Sequence, residues 1–284
     1  MMQVRGKLAV GVTVLLLAAA AWAIPQDKFQ QKCINKINKD TIAVEAVQGK
    51  LDAGCIKDAV KVGSSTIAET CINSDPAGKV AKKAAITNKD NTNKCASINP
   101  QPDFAYTSPA IVNTAAIQAE RDLIHDVFGS PLDAGLFKCD VHPLQCLCQR
   151  QVVDRVEKLG RAMSGIFVKC KNAALAIGHD PFPLGATQAS DIAECVTNAA
   201  IPQSVQADTK TKISTAQAQL LATWTQFCHK TSDDEFHGGV CPGLLGSALT
   251  DCLAQRVRCR FCRMVDTADA LAINCATWSG GSCP

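Results

Sequence analysis

Two cysteines near the C-terminus have the spacing of a chemically active pair. Cys259 and Cys262 form a C-x-x-C motif within "RVRCRFCRM". The motif is surrounded by four basic side chains, those of Arg256, Arg258, Arg260 and Arg263. Neighbouring positive charge lowers the pKa of a cysteine thiol, so the motif would suit thiol redox chemistry. Together with Cys252 and a histidine, the same two cysteines would also supply the four ligands of a zinc site.

The context of this motif favours structural disulfides instead. A redox C-x-x-C usually stands at the start of a helix beside a sheet, whereas Cys259 lies inside a run with helical period and no strand nearby. The sequence therefore predicts no catalytic residue, no cofactor and no metal. Thiol redox or metal binding through Cys259 and Cys262 is the alternative hypothesis.

Other reactive residue types lack the spacing of a site. The five histidines are scattered, and Ser164 and Ser247 lack the flanking glycines of a nucleophile elbow. The six glutamates are dispersed along predicted helices, where a single carboxylate is expected to face water. The acidic run at 233–235 could hold calcium, but a solvated loop is the preferred interpretation.

The N-terminus reads as a targeting segment. Arg5 and Lys7 precede an uncharged apolar run that closes on Ala21, Trp22 and Ala23. We predict a signal peptide over residues 1–23, cleaved after Ala23. No later stretch is apolar for long enough to span a bilayer, so the mature chain is expected to be secreted or periplasmic, without a membrane span.

Composition restricts the class of protein. Removal of residues 1–23 takes away two of the 29 Lys and Arg and none of the 26 Asp and Glu, which leaves a net charge of +1. A chain with so small a net charge lacks the excess of basic residues that is typical of a nucleic-acid-binding protein. Aromatic residues make up only 5% of the chain and helical periodicity dominates, so the predicted class is all-α. Sixteen cysteines in an exported chain indicate a disulfide framework.

The cysteines also indicate an internal repeat. Cys33 and Cys55 are 22 residues apart, as are Cys148 and Cys170. The segments "STIAETC" and "SDIAEC" follow these pairs, and each unit ends at a further cysteine. We predict two duplicated helical-hairpin units, a connector and a tail. Their ranges are 24–106 for the first unit, 107–144 for the connecting helix and loop, 145–240 for the second unit and 241–284 for a cysteine-rich helical module.

Helix geometry predicts how the units are cross-linked. Twenty-two residues of helix span about 33 Å, so the two cysteines of one long helix cannot bond to each other. A returning helix that runs antiparallel to the long helix brings one later cysteine beside each of these two cysteines. The resulting disulfides are nested, one within the other. The predicted disulfides of the units are Cys33–Cys95, Cys55–Cys71, Cys148–Cys228 and Cys170–Cys195.

Two shorter spans are predicted to close local bridges, Cys139–Cys146 and Cys275–Cys283. One alternative stays open, in which Cys146 bonds to Cys228 and Cys148 to Cys139. The partners of Cys241, Cys252, Cys259 and Cys262 are not predicted.

The linker "FAYTS" and the tail "CLAQRVRCRFC…INC…SC", together with the paired cysteine units, resemble a group of exported, cysteine-rich helical proteins of bacteria. That group has no known function, so the resemblance implies an exported helical fold and no activity or ligand. Two hypotheses of function follow. We favour a non-enzymatic exported structural or binding protein, whose partner is a protein or a surface ligand of unknown identity, over the redox or metal protein described above.

Overall fold

The computed structural model describes residues 25–228, 239–281 and 283, and over these residues the regular structure is helical with no strand. The all-α class is therefore confirmed. The predicted signal peptide and the acidic run at 233–235 lie outside the described residues. Within the described part, no helix is long and apolar enough to cross a membrane. The helices, in chain order, are α1 Lys28–Ala59, α2 Ala68–Ser74, α3 Lys79–Lys94, α4 Pro109–Phe128, α5 Leu132–Gly135, α6 Pro143–Leu175, α7 Ala189–Thr197, α8 Lys212–Thr223, α9 Gly246–Asp269 and α10 Cys275–Ser279.

The long helices α1 and α6 form for local reasons that the sequence carries. Asp27 caps α1, because its carboxylate accepts hydrogen bonds from the backbone N–H groups of Phe29 and Gln30, and the Asp27 backbone N–H donates to the side-chain oxygen of Gln30. Proline occupies the first position of α6, where no backbone donor is needed. Both helices bury one apolar stripe along their length, which indicates that tertiary packing holds them.

Each long helix is followed by a short helix and a returning helix, and the predicted nested disulfides join them. Cys33–Cys95 encloses Cys55–Cys71 in the first unit, with Cα–Cα distances of 5.0 and 5.7 Å. Cys148–Cys228 encloses Cys170–Cys195 in the second unit, with distances of 4.9 and 5.6 Å. The common origin of the two units stays a prediction.

Helix α4, from the predicted connector, packs between the first unit and the tail. It begins at Pro109 after the Ser108 cap and packs against α1, α3 and α9. The buried apolar residues of both units, the connector and the tail form one continuous cluster. The four predicted segments therefore share a single core, and the site described below lies around α1, where α3, α4 and α6 all contact it.

Candidate functional site

The C-x-x-C cysteines of α9 are bonded to the tail and not to each other. Cys259 bonds to Cys283 and Cys262 to Cys275. The predicted Cys275–Cys283 bridge is therefore wrong. Cys259 and Cys262 are one helical turn apart on one face of α9, and the chain after Asp269 turns back along that face. Cys275 of this returning chain lies beside Cys262, and Cys283 lies beside Cys259.

The other cysteines complete the framework. Cys139 bonds to Cys146, as predicted, which removes the alternative in which Cys146 bonds to Cys228. Cys241 bonds to Cys252, a pair that the sequence left open. All sixteen cysteines of the chain are thus in eight disulfides, the eight bonds being Cys33–Cys95, Cys55–Cys71, Cys139–Cys146, Cys148–Cys228, Cys170–Cys195, Cys241–Cys252, Cys259–Cys283 and Cys262–Cys275.

Two arginines of the motif have structural partners. The buried guanidinium of Arg260 donates from Nε and Nη2 to the two carboxylate oxygens of Asp126, at 2.7 and 2.8 Å, and from Nη1 to Asp122 at 3.0 Å. Arg263 donates to the carbonyl oxygen of Cys283 at 2.6 Å. These side chains join α9 to α4 and to the tail, and so are engaged by the protein itself.

Other sequence candidates are also separated. Ser164 is buried and donates to Glu45, whereas Ser247 is exposed at the start of α9. Nε2 of His125 lies 2.9 Å from a carboxylate oxygen of Glu69. Among the residues that the structure describes, no group of three or more His, Cys, Asp or Glu side chains is arranged to hold a metal ion.

Four acidic side chains meet in the centre of the protein, where α1, α4 and α6 touch. We call Glu45, Asp52, Glu120 and Glu157 the carboxyl cluster. Their exposed fractions are 2%, 0%, 5% and 3%, so the expectation that these glutamates face water is wrong. Each of the four has one carboxyl oxygen without a hydrogen-bond partner in the described part of the chain.

Gly49 of α1 makes this close approach possible. A Cβ atom on residue 49 would lie 1.8 Å from one carboxyl oxygen of Glu157 and 2.9 Å from one of Glu120. The carboxyl groups of Glu120 and Glu157 thus lie close to the same point of α1, and ionisation of both there is unfavourable.

Burial sets the protonation of the carboxyl cluster. It raises the pKa of Glu45 to about 7 and that of Asp52 to about 8, and the charge of Glu157 adds to both shifts. Burial and the neighbouring acids also raise the pKa of Glu120 well above its ordinary value, and burial raises that of Glu157. The closest counter-charge is Arg161, 3.3 Å from Glu157. The carboxyl cluster is therefore a group of largely neutral acids, closed to substrates by its burial.

An open groove lies on the other side of α1, between α1, α2 and α3. We call it the lysine groove; its volume is about 610 Å³. Its apolar lining includes Val47, Leu51, Ile86 and the Cys55–Cys71 disulfide, and most of its exposed wall is apolar. Gly54 also lines the groove, and a side chain added there would meet no atom within 4 Å.

Four lysines also line the groove, Lys50, Lys79, Lys82 and Lys83. Two acids also line the groove, but both have partners elsewhere. Asp58 forms an ion pair with Lys61 at 2.5 Å, and Asp75 accepts hydrogen bonds from the first turn of α3. None of the four lysines forms an ion pair within the described residues.

Neither the carboxyl cluster nor the lysine groove is predicted from the sequence. Glu45 and Asp52 share the buried stripe of α1 with apolar residues, seven positions apart, a spacing that could have indicated buried acids. The groove had no comparable signal, because the position of α3 relative to α1 depends on tertiary packing. Comparisons of this chain with protein-family models, curated proteins and solved structures find no match.

Proposed function

We propose that this chain is an exported, non-enzymatic binding protein in which disulfide-linked helices hold the lysine groove open for a ligand. One observation carries the proposal: an apolar depression of about 610 Å³ stays uncovered on the surface, although unpaired charges surround it. Uncovered apolar surface of this kind is typical of a binding site.

The disulfides support a preformed site. Cys55–Cys71 is part of the groove wall, and Cys33–Cys95 fixes the far ends of α1 and α3. Cys55–Cys71 joins α1 to α2 and Cys33–Cys95 joins α1 to the end of α3, so the disulfides oppose collapse of the groove and a ligand would pay little reorganisation cost on binding. Eight disulfides also suit an oxidising compartment, as the predicted signal peptide requires.

The alternative, thiol redox or metal binding through Cys259 and Cys262, has less support. A thiol oxidoreductase alternates one cysteine pair between dithiol and disulfide, and here the two cysteines have different partners. We expect no insulin reduction by the protein, and replacement of both cysteines by serine should only lower thermal stability. Turnover by the wild type that disappears in the double variant would favour the alternative.

Native mass spectrometry of the exported protein, purified without denaturation, tests the binding function. We expect a non-covalent adduct that disappears on denaturation. Gly54→Trp would fill the groove, because position 54 faces open space, and should abolish the adduct. Gly165→Trp adds the same side chain at an exposed position of α6 outside the groove, so it is the matched control and should retain the adduct. An adduct that persists in Gly54→Trp, or the absence of any adduct in the wild type, would count against the groove as the binding site.

A further inference from the structure

We propose that the ligand of the lysine groove is a single-chain amphipathic anion, a fatty carboxylate whose acyl chain lies along α1 and whose head group meets the lysines. The proposal rests on the proposed function, since it names the ligand class of that same groove. Three features of the protein lead to it: the dimensions of the groove, its charges, and the way in which the second unit covers the corresponding place.

The dimensions suit one acyl chain. Between Val47 and Asp58 the groove follows eleven residues of α1, about 16 Å of helix, which is the length of an extended acyl chain of medium size. Its volume lies in the range of small-molecule sites.

The charges suit one anionic head group. Lys50, Lys82 and Lys79 approach the groove from two different helices, α1 and α3, so a carboxylate between them would contact ammonium groups from both sides. Lysine stems are apolar and flexible, and they would cover the acyl chain while the ammonium groups remain at the surface. A cationic amphiphile of the same length would be repelled.

The second unit shows what this place accepts. Ile166 and Lys169 follow Cys148 by the same numbers of residues as Leu51 and Gly54 follow Cys33. There the wall is covered by the chain between α7 and α8, whose Pro202 and Ser204 stand against Ile166 and Lys169, and the remaining space is about 80 Å³.

That covering segment is anchored by apolar side chains. Ile201 and Val205 are each 4% exposed and belong to the core, and the Val205 backbone donates to Cys195, at 2.8 Å. In the first unit α2 ends at Ser74 and α3 begins at Lys79, so the connection is too short to provide such a cover. The lysine groove is thus open at the place that the connection between α7 and α8 covers in the second unit.

A second groove of about 500 Å³ lies between α4 and α9, but the two arginines that line it already have partners within the protein. Arg260 is paired with Asp122 and Asp126, and Arg263 is bonded to the Cys283 carbonyl. An anion there would have to compete with these partners. Asp58 and Asp75 also line the lysine groove, but its four lysines form no ion pair within the described residues, and for that reason it is the better anion site.

Isothermal titration calorimetry with the mature, disulfide-intact protein tests the proposal, with dodecanoate as the probe. We expect saturable binding of one dodecanoate per chain. Acetate, which has the charge without the chain, and dodecyltrimethylammonium, which has the chain with the opposite charge, should each bind at least tenfold more weakly. Gly54→Trp should abolish dodecanoate binding, whereas Gly165→Trp, at an exposed position of α6 outside the groove, should leave the affinity within about twofold.

Charge reversal separates a specific head-group site from general attraction. Lys82→Glu with Lys83→Glu should weaken dodecanoate binding at least tenfold. The matched control, Lys28→Glu with Lys39→Glu, changes the net charge equally at exposed positions of α1 outside the groove, and should change affinity less than threefold.

Three results would overturn the proposal. The first is equal binding of the cationic amphiphile, and the second is dodecanoate binding that Gly54→Trp does not affect. The third is that the wild type does not bind dodecanoate, although its native adduct is lost in Gly54→Trp. The groove would then bind another ligand class, such as an acidic peptide, and the proposed function would stand. If the wild type shows neither a native adduct nor dodecanoate binding, both the proposed function and the proposed ligand class are contradicted.

Discussion

Asp75 and Asp208 occupy the same position in the two units and adopt the same unusual conformation. Each lies four residues before the first residue of its returning helix, with a left-handed backbone, φ 42° and 40°. The carboxylate of Asp75 accepts from the backbone of Lys79 and Ala81, and that of Asp208 accepts from Lys212 and Ser214. The same local device thus starts α3 and α8, which strengthens the prediction of a repeat.

We expect loss of either carboxylate to destabilise its returning helix. Asp75→Ala and Asp208→Ala should each lower the free energy of unfolding by about 1–2 kcal/mol, because they remove a helix cap. Asn tolerates the left-handed conformation and keeps one acceptor, so Asp→Asn should cost less at both sites. Urea unfolding of the disulfide-intact variants measures this. Equal losses for Ala and Asn would contradict the capping role.

Two glycines of α1, five residues apart, should respond in opposite directions to the same change. Gly49→Ala should destabilise by about 1–3 kcal/mol, because the new methyl group would displace Glu157 and Glu120 from a packed interior. Gly54→Ala should stabilise by up to about 1 kcal/mol, since its methyl group meets open space and alanine is the better helix former. Thermal unfolding of both variants gives the comparison. A stable Gly49→Ala protein would show that the carboxyl cluster is loosely packed.

Much of the disulfide framework can be predicted from spacing along the sequence, whereas the contacts between buried side chains cannot. Ser108 and Pro109 predict the start of α4, and helix rise predicts the nested bridges of both units, since each needs only spacing along the chain. Helix rise also predicts the disulfides of the tail, because Cys259 and Cys262 lie on one helix and need separate partners on a returning segment. The predicted bridge within the short loop between Cys275 and Cys283 is inconsistent with that rule, and it is wrong.

The carboxyl cluster could not be derived in this way. Glu45, Glu120 and Glu157 are far apart in sequence and come together only because α1, α4 and α6 pack at Gly49. A glutamate in a predicted helix gives no sign of which neighbour will cover it. The same holds for Lys171, a basic residue in a helix whose side chain is fully buried.

Lys171 and Asp269 form a buried ion pair that joins α6 to the end of α9. Nζ of Lys171 lies 2.7 Å from the Asp269 carboxylate and donates to Asn38 and to the Ala105 carbonyl. Lys171→Met should lower the free energy of unfolding by about 3–5 kcal/mol, because it leaves Asp269 buried without its partner. Adding Asp269→Asn to that variant should recover part of the loss, as a double-mutant cycle by urea unfolding would measure. No recovery would mean that the pair is not the source of the loss.

The carboxyl cluster should make the protein most stable in acid. Folding raises the pKa of Asp52 from 3.8 to about 8 and that of Glu45 from 4.5 to about 7, so the folded state holds protons that the unfolded state has lost. Stability is then greatest below the unfolded pKa values, near pH 4, and falls as the pH rises towards 7–8. Urea unfolding between pH 3 and 9 should show this decline, on the order of several kcal/mol.

Asp52→Asn isolates the cause of that decline. The amide keeps the shape of the side chain and cannot ionise, so the variant should lose less stability between pH 4 and pH 8 than the wild type. Asp58→Asn is the control, because Asp58 is exposed, lies on the same helix and forms an ion pair with the exposed Lys61. Its pH profile should follow that of the wild type. A wild-type profile that rises between pH 4 and pH 8, or an Asp52→Asn profile as steep as the wild type's, would show that buried neutral acids do not control the stability of this fold.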